Sequence, residues 1–401
     1  MKVLFIGGVF TKENSSEVIA NSKYSVDFAA NIYQTKLIDG LRSLDKDMQI
    51  ISAPFIGPYP NSYRKLWFRG FKENSDMYEY VDFCNVWGVR NISRYRAVKS
   101  RLQHFIKLDD ENKLIIVYSA HTPFLKAALY AKRQDPRIKV CLIVLDLPQY
   151  MNLSLKQSLL YRCAKKYDIN LFRRLNRCVD SYVLLTKHMT EQIDIQNRPY
   201  IIQEGLVRST DLVVTQNNGN SGRVKTVFYA GTLNERYGVK TLVDAFCQIN
   251  NDNLRLVICG RGDSEEYIDR MSKQNPRIVY MGQIMPEEVN KLMRDADILV
   301  NPRPNNELYT RYSFPSKNIE YLLAGKLVLG YKLDGMPNCY QQFMVIVQDE
   351  GKDEVYNMIN AIEYALTIDN YSNRSFIFYA KENLIAEAVA MKIKEMNFNR
   401  F

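Results

Sequence analysis

Short apolar runs recur along this chain, most of them closed by glycine, proline or aspartate. In the first half they are "KVLFIGG", "KLIIVYSAH", "KVCLIVLDLP", "SYVLLT" and "YIIQEGL". In the second they are "KTVFYAGTL", "LRLVICGRG", "RIVYMGQI", "ADILVNPRP", "KLVLGYKL" and "MVIVQD". Runs this apolar suit strands buried on both faces of a parallel sheet. Helical patterns separate them, which predicts repeated βαβ units and an α/β fold. The stretch Ser375 to Met396 reads as helical and either finishes the second domain or crosses back onto the first.

The stretch from Arg208 to Lys225 contains "QNNGNSG", too polar to be buried, and reads as a flexible connection or exposed loop. It divides the chain into an N-terminal domain, 1–208, and a C-terminal domain, 209–382, with a helix over 383–401 that can pack back on the first. A length of 401 residues suits two cores rather than one.

Open parallel sheets bind ligands beyond the carboxyl ends of their strands. In the second half these positions hold Gly231-Thr232, Gly260-Arg261-Gly262, Gly282-Gln283, Asn301-Pro302-Arg303 and Phe314-Pro315-Ser316-Lys317. Glycine lets backbone N–H groups approach a phosphate, and a cation neutralises it. Each glycine taken singly reads as a tight turn; their repetition raises the functional reading. In "FPSKNIEYLLAGKLVLG", Pro315 disfavours helix before it and Ser316 is expected as the N-cap of a helix over 317–324 stopped by Gly325. The start of that helix, with Lys317, suits a diphosphate, and Glu320 one turn in could accept from a ribose diol. A solvated glutamate at a favourable dipole position is the equally weighted alternative.

In the first half Gly7 and Gly8 close the first strand, His121 another with Thr122 placed to cap the next helix, and Asp146 a third. His121 and Asp146 read either as capping residues or as groups touching substrate in a cleft between the domains. No G-x-S-x-G elbow, phosphate-binding P-loop or complete dinucleotide fingerprint is present.

Composition narrows the partners. With 54 basic and 44 acidic residues the net charge is +10, which favours an anionic partner. The basic and aromatic segment "YPNSYRKLWFRGFK" and the amphipathic "LLYRCAKKYDINLFRRLNR" suit an anionic membrane surface. In the second of these, Leu160, Ala164, Tyr167, Leu171 and Leu175 form the apolar stripe; a packed helix with a solvated basic face is the alternative. Nucleic acid is not expected, because no binding motif accompanies the charge. Seven cysteines without framework spacing fit a reducing compartment, and three histidines without ligand spacing predict no metal site. "MKVLFIGGVF" reads as a buried strand rather than a signal peptide, and no run reaches the roughly 20 residues of a membrane span. The expectation is a cytoplasmic protein, at most peripheral on a membrane.

Four ordered stretches, "VFYAGTLNERYGVKTLVDAF", "LRLVICGRGDSEEYI", "RIVYMGQIMPEEVNKLMRDADILVNPRP" and "FPSKNIEYLLAGKLVLG", resemble the donor domain of retaining glycosyltransferases of family 4. The resemblance is strong over about residues 224–345 and looser over the first half. It implies the GT-B architecture, two Rossmann-like domains with mostly parallel sheets facing a central cleft. It also implies transfer of a hexose-like sugar with retention from a nucleotide-diphosphate sugar, a UDP- or GDP-sugar, without a metal or other cofactor. The basic first domain makes a lipid-linked glycan at the inner face of the plasma membrane the expected acceptor, and Phe314-Pro315-Ser316-Lys317 resembles a branch of the family that builds surface polysaccharides such as capsule. The family's E-x7-E pair places its second glutamate at Glu320 and its first at Tyr312, which is not acidic. Its arginine and lysine after the first donor-domain strand fall at Thr232 and Tyr237, with Arg236 adjacent. Arg261, Arg303, Arg311 and Lys317 are the remaining donor-side cations. A non-catalytic nucleotide-sugar sensor or scaffold is the alternative, with phosphorolysis ranked last.

Overall fold

The computed structural model describes residues 1–24, 28–70, 77–147, 158–217, 223–349 and 351–398. The chain forms two units: Met1–Arg208 together with Asn383 onward, and Ser209–Glu382.

In the first unit seven strands form one parallel sheet: β1 (Lys2–Gly7), β2 (Gln49–Ser52), β3 (Tyr78–Tyr80), β4 (Lys113–Tyr118), β5 (Ile138–Val144), β6 (Ser181–Leu184) and β7 (Tyr200–Ile202). Their order is β3-β2-β1-β4-β5-β6-β7, and every neighbouring pair is parallel. Two of these strands, "QIIS" and "YEY", were not expected from the sequence; with only four and three residues they carry too little apolar signal to stand out. The centre of the sheet is fully buried, Lys113 included, because its ammonium is paired with Asp135 at 2.8 Å. The helices that matter below are α1 (Phe28–Leu41), α2 (Arg90–Arg101), α3 (Thr122–Gln134) and α4 (Leu159–Asn176).

The last helix, Ala386–Phe398, belongs to this unit and lies against α1 where Gly40 permits contact: a Cβ there would stand 2.3 Å from the Ala386 backbone.

Helix α4 leaves much of its expected apolar stripe in solvent. Its packing face is Phe172 and Asn176. The expected apolar stripe is only half-buried at Leu171 and Leu175, and Leu160, Ala164 and Tyr167 are exposed. Leu159 and Leu160 are 76% and 74% exposed, beside Arg162 and Lys166 in solvent.

The second unit is a six-stranded parallel sheet of β8 (Lys225–Ala230), β9 (Leu254–Cys259), β10 (Ile278–Tyr280), β11 (Ile298–Asn301), β12 (Leu327–Gly330) and β13 (Val345–Ile346), in the order β10-β9-β8-β11-β12-β13. Apolar side chains of Val227, Leu256, Ile258 and Leu329 join Leu242 and Phe246 from helix Val239–Gln248 in its core. The polar stretch expected to be loop is in part a strand: Gln216–Asn217 pairs antiparallel with Tyr371–Ser372, while residues 218–222 lie outside the described ones. In the basic segment around Trp67, residues 71 and 72 lie outside them too. Among the described residues no helix is long and apolar enough to cross a membrane.

Candidate active site

The strand ends of the second unit crowd their backbones together. A Cβ on Gly260, which has φ +139°, would stand 1.8 Å from the Gly231 carbonyl oxygen, and one on Gly262 would stand 2.4 Å from that of Leu233. Only glycine fits at either place. Beneath them the buried Tyr321 hydroxyl accepts from the Ala230 N–H at 3.1 Å and lies 3.3 Å from the Ala230 carbonyl, tying the end of β8 to the helix Lys317–Leu323. Burial pushes that phenol far above its ordinary pKa, so it stays a neutral hydrogen-bonding group.

The same tie brings three expected residues together. The Lys317 side chain passes over Gly231, its Cε 3.4 Å from where a Cβ would be. The Lys317 ammonium is 3.5 Å from the Glu320 carboxylate. A cation, a glycine backbone and a carboxylate therefore stand at the carboxyl end of β8, a combination suited to phosphate and diol groups. Ser316 is exposed next to them but does not cap the helix as expected. Its own backbone is already helical, φ −53° and ψ −27°, so its hydroxyl is not aimed at the first turn. Gly325 ends the helix in the left-handed region, φ +71°.

The other cations separate. Arg303 is half-buried, its guanidinium 4.7 Å from the centre of the Tyr309 ring and 5.5 Å from that of Tyr237, with Nη2 donating to the Ser313 hydroxyl at 2.8 Å. Arg236 is exposed, 3.6 Å from Glu307, and lines a cavity of about 500 Å³ with Glu235, Asp263, Glu307 and Glu354. Four carboxylates make that cavity unfavourable for a diphosphate. Thr232 and Arg261 are exposed. Tyr312 is buried, 7% exposed, in the turn Leu308–Tyr312.

In the first unit Gly7 and Gly8 are buried rather than open. The Gly8 N–H donates to Gln34 Oε1 at 2.9 Å, and a Cβ on Gly8 would stand 2.3 Å from the Phe55 ring. Phe55 in turn meets the His121 ring edge-on, with centroids 5.7 Å apart, and Phe124 does so at 4.5 Å. His121, half-buried, follows β4, and the exposed Asp146 follows β5, the neighbouring strand. Thr122 is not the cap expected of it. It is the first residue of α3, and its hydroxyl donates to Asp168 of α4 at 2.5 Å. Burial raises the Asp168 pKa, opposed by that hydrogen bond and by Arg90.

Sequence reasoning missed Arg90 and Arg94 on α2, the charged neighbours of His121. Arg94 is 1% exposed and its Nη1 is 3.4 Å from His121 Nε2. The available signal was spacing: Arg94, Val98, Leu102 and Phe105 recur at helical period, and all are buried, so Arg94 sits on a core stripe. Among the described residues no group of three or more His, Cys, Asp or Glu side chains is arranged to hold a metal.

Residues 224–366 match the family described as "Glycosyl transferases group 1". The phosphatidyl-myo-inositol mannosyltransferase of Mycobacterium leprae is 31% identical over 113 residues, 27% of this chain and 29% of that protein. The chain matches less than a third of the length of its curated relatives. Among solved structures, the lipopolysaccharide outer core galactosyltransferase WaaB superposes with a TM-score of 0.61 at 12% identity, covering 100% of both chains. The Anabaena protein Alr3699/HepE in complex with UDP does so with a TM-score of 0.57 at 12% identity, covering 98% of this chain and 99% of that one. These likenesses bear out the expected GT-B fold, as two Rossmann-like units.

Proposed function

We propose that this protein is a retaining glycosyltransferase of the family 4 type that moves a sugar from a UDP- or GDP-sugar to the hydroxyl of a lipid-linked glycan. The observation that carries the reading is the grouping of Gly231, Lys317 and Glu320 at the end of β8, inside the stretch that matches the glycosyltransferase family. In this reading the helix start and Lys317 receive the diphosphate and Glu320 the ribose diol. The bond from the anomeric carbon to the diphosphate breaks while the acceptor oxygen attacks the same face. The acceptor's proton passes to the leaving diphosphate, so no enzymatic nucleophile is needed. The main contribution of the protein is to stabilise charge on the leaving group. No resident metal or organic cofactor is required, and dialysis against a chelator is expected to leave activity unchanged.

The acceptor side of the reading rests on α4, whose exposed leucines and basic residues suit an anionic bilayer. It places the protein on the inner face of the plasma membrane, in surface polysaccharide or capsule synthesis.

A second reading, a non-catalytic nucleotide-sugar sensor or scaffold, is favoured by one observation: the position of the family's first glutamate holds a buried tyrosine, Tyr312. Incubation of the purified protein with radiolabelled UDP- and GDP-sugars and a membrane extract separates the two. Label transferred to lipid is the result expected. Donor binding without transfer or hydrolysis would instead establish the sensor.

A further inference from the structure

Arg94 is wholly buried, yet among the described residues it forms no ion pair with a carboxylate. Its Nη2 donates to the Pro54 carbonyl at 2.7 Å, its guanidinium lies 4.4 Å from the centre of the Phe83 ring, and its Nη1 lies 3.4 Å from His121 Nε2. A guanidinium has only donors and keeps its proton in proteins. Its contact with Nε2 is attractive only if that nitrogen carries no hydrogen. A neutral imidazole has one ring proton, which must then be on Nδ1.

The packing around the ring agrees: it is held edge-on against Phe55 and Phe124, which restrains it from turning Nε2 away.

We propose that Arg94 is a positioning residue that fixes His121 as a neutral imidazole protonated on Nδ1, so that His121 meets a ligand as a hydrogen-bond donor and not as a general acid or base. Among the described residues the charged groups acting on the ring are Arg90 and Arg94 from α2. Asp168 from α4 faces Arg90 and is engaged by the Thr122 hydroxyl. Phe55, from the segment after β2, adds no charge. Burial first, then Arg94 and Arg90, hold the imidazole pKa well below its ordinary value. Protonating His121 would set a third cation against the two arginines. Its use in sugar transfer rests on the function proposed above; the tautomer itself does not.

Long-range proton–nitrogen correlation spectra of the full-length protein, labelled with ¹⁵N-histidine, read the tautomer directly. The chain has three histidines, so His104→Gln and His188→Gln assign the signals. We expect His121 to show a protonated Nδ1 and a bare Nε2, unchanged from about pH 8 to about pH 5.5. In Arg94→Met it should titrate closer to the ordinary value of about 6.5, and Arg94→Lys, which keeps a donor and a charge, should restore the wild-type signal. A wild-type His121 protonated on Nε2, or one that charges within that window, overturns the proposal. The wild-type spectrum decides even if Arg94→Met fails to fold. A protein with the expected tautomer but no transferase activity would sink the function and leave this inference standing.

Discussion

The Lys317 ammonium stands 3.5 Å from the Glu320 carboxylate, one turn along the same helix, and the lysine stem crosses Gly231. Their side chains are 37% and 57% exposed, so the pair itself contributes at most about 1 kcal/mol to stability. If Glu320 receives a ribose diol, its worth lies in binding, where hydrogen bonds to a charged group contribute about 1.5–3 kcal/mol. Glu320→Ala is therefore expected to raise the donor KM about 10- to 100-fold, with little change in melting temperature. Steady-state kinetics beside thermal melts checks both. Near-normal donor binding would remove Glu320 from the site.

Gly260→Ala tests the crowding at the strand ends. The added methyl would meet the Gly231 carbonyl at 1.8 Å, and φ +139° is closed to alanine. The neighbour is backbone and cannot swing aside, so the substitution should cost at least about 2 kcal/mol of stability. Urea unfolding followed by a signal from the second unit measures it. A variant as stable as the wild type would mean that these two loops do not touch.

Much of this arrangement was legible in the sequence, for a physical reason. The strands of the second unit are continuous apolar runs, and Gly231, Lys317 and Glu320 sit beside local signals, a strand end and a helix start. In the first unit "QIIS" and "YEY" were passed over because strands so short carry little pattern. Arg94 was missed because its meaning is non-local: a basic residue in a basic helix looks solvated until Pro54, Phe83 and His121 are folded around it. The same holds for Thr122, whose partner Asp168 is 46 residues away. The apolar stripe of α4 calls for cover without saying by what, so the sequence leaves a membrane surface and a packed helix both open.

Acid should weaken the first unit through Asp135. Hydrogen bonds from Arg137 first, and from Lys113 as well, hold this carboxyl well below the usual range against the opposing effect of burial. Its folded pKa is lower than its unfolded one. The stabilisation is therefore complete above the unfolded value of about 3.9 and is lost as pH falls below it toward the folded value. Asp135→Asn leaves the buried Lys113 ammonium without its counter-charge, expected to cost about 3 kcal/mol at neutral pH. Between about pH 5 and about pH 3 the wild type should lose more stability than the variant, because only the wild type has this proton to take up. Denaturant titrations at the two pH values compare them, and equal losses would show that Asp135 is not the group responsible.

The start of α4 offers the test of membrane association. Leu159 and Leu160 are 76% and 74% exposed, so burying them in a lipid interface recovers apolar area that folding leaves in water. Arg162 and Lys166, exposed beside them, add about 1 kcal/mol each near an anionic surface, a contribution that salt screens. The protein should float with phosphatidylglycerol vesicles at low salt, less at high salt, and not with neutral phosphatidylcholine. The double variant Leu159→Glu, Leu160→Glu should remain at the bottom of the gradient while melting as the wild type does, because neither side chain is part of the core. Charge reversal at Arg162 and Lys166 should weaken flotation in proportion to its salt dependence. Flotation that survives the leucine changes would move the contact away from α4. Failure of the wild type to float at low salt would remove the membrane from the proposal while leaving the donor site at β8 untouched.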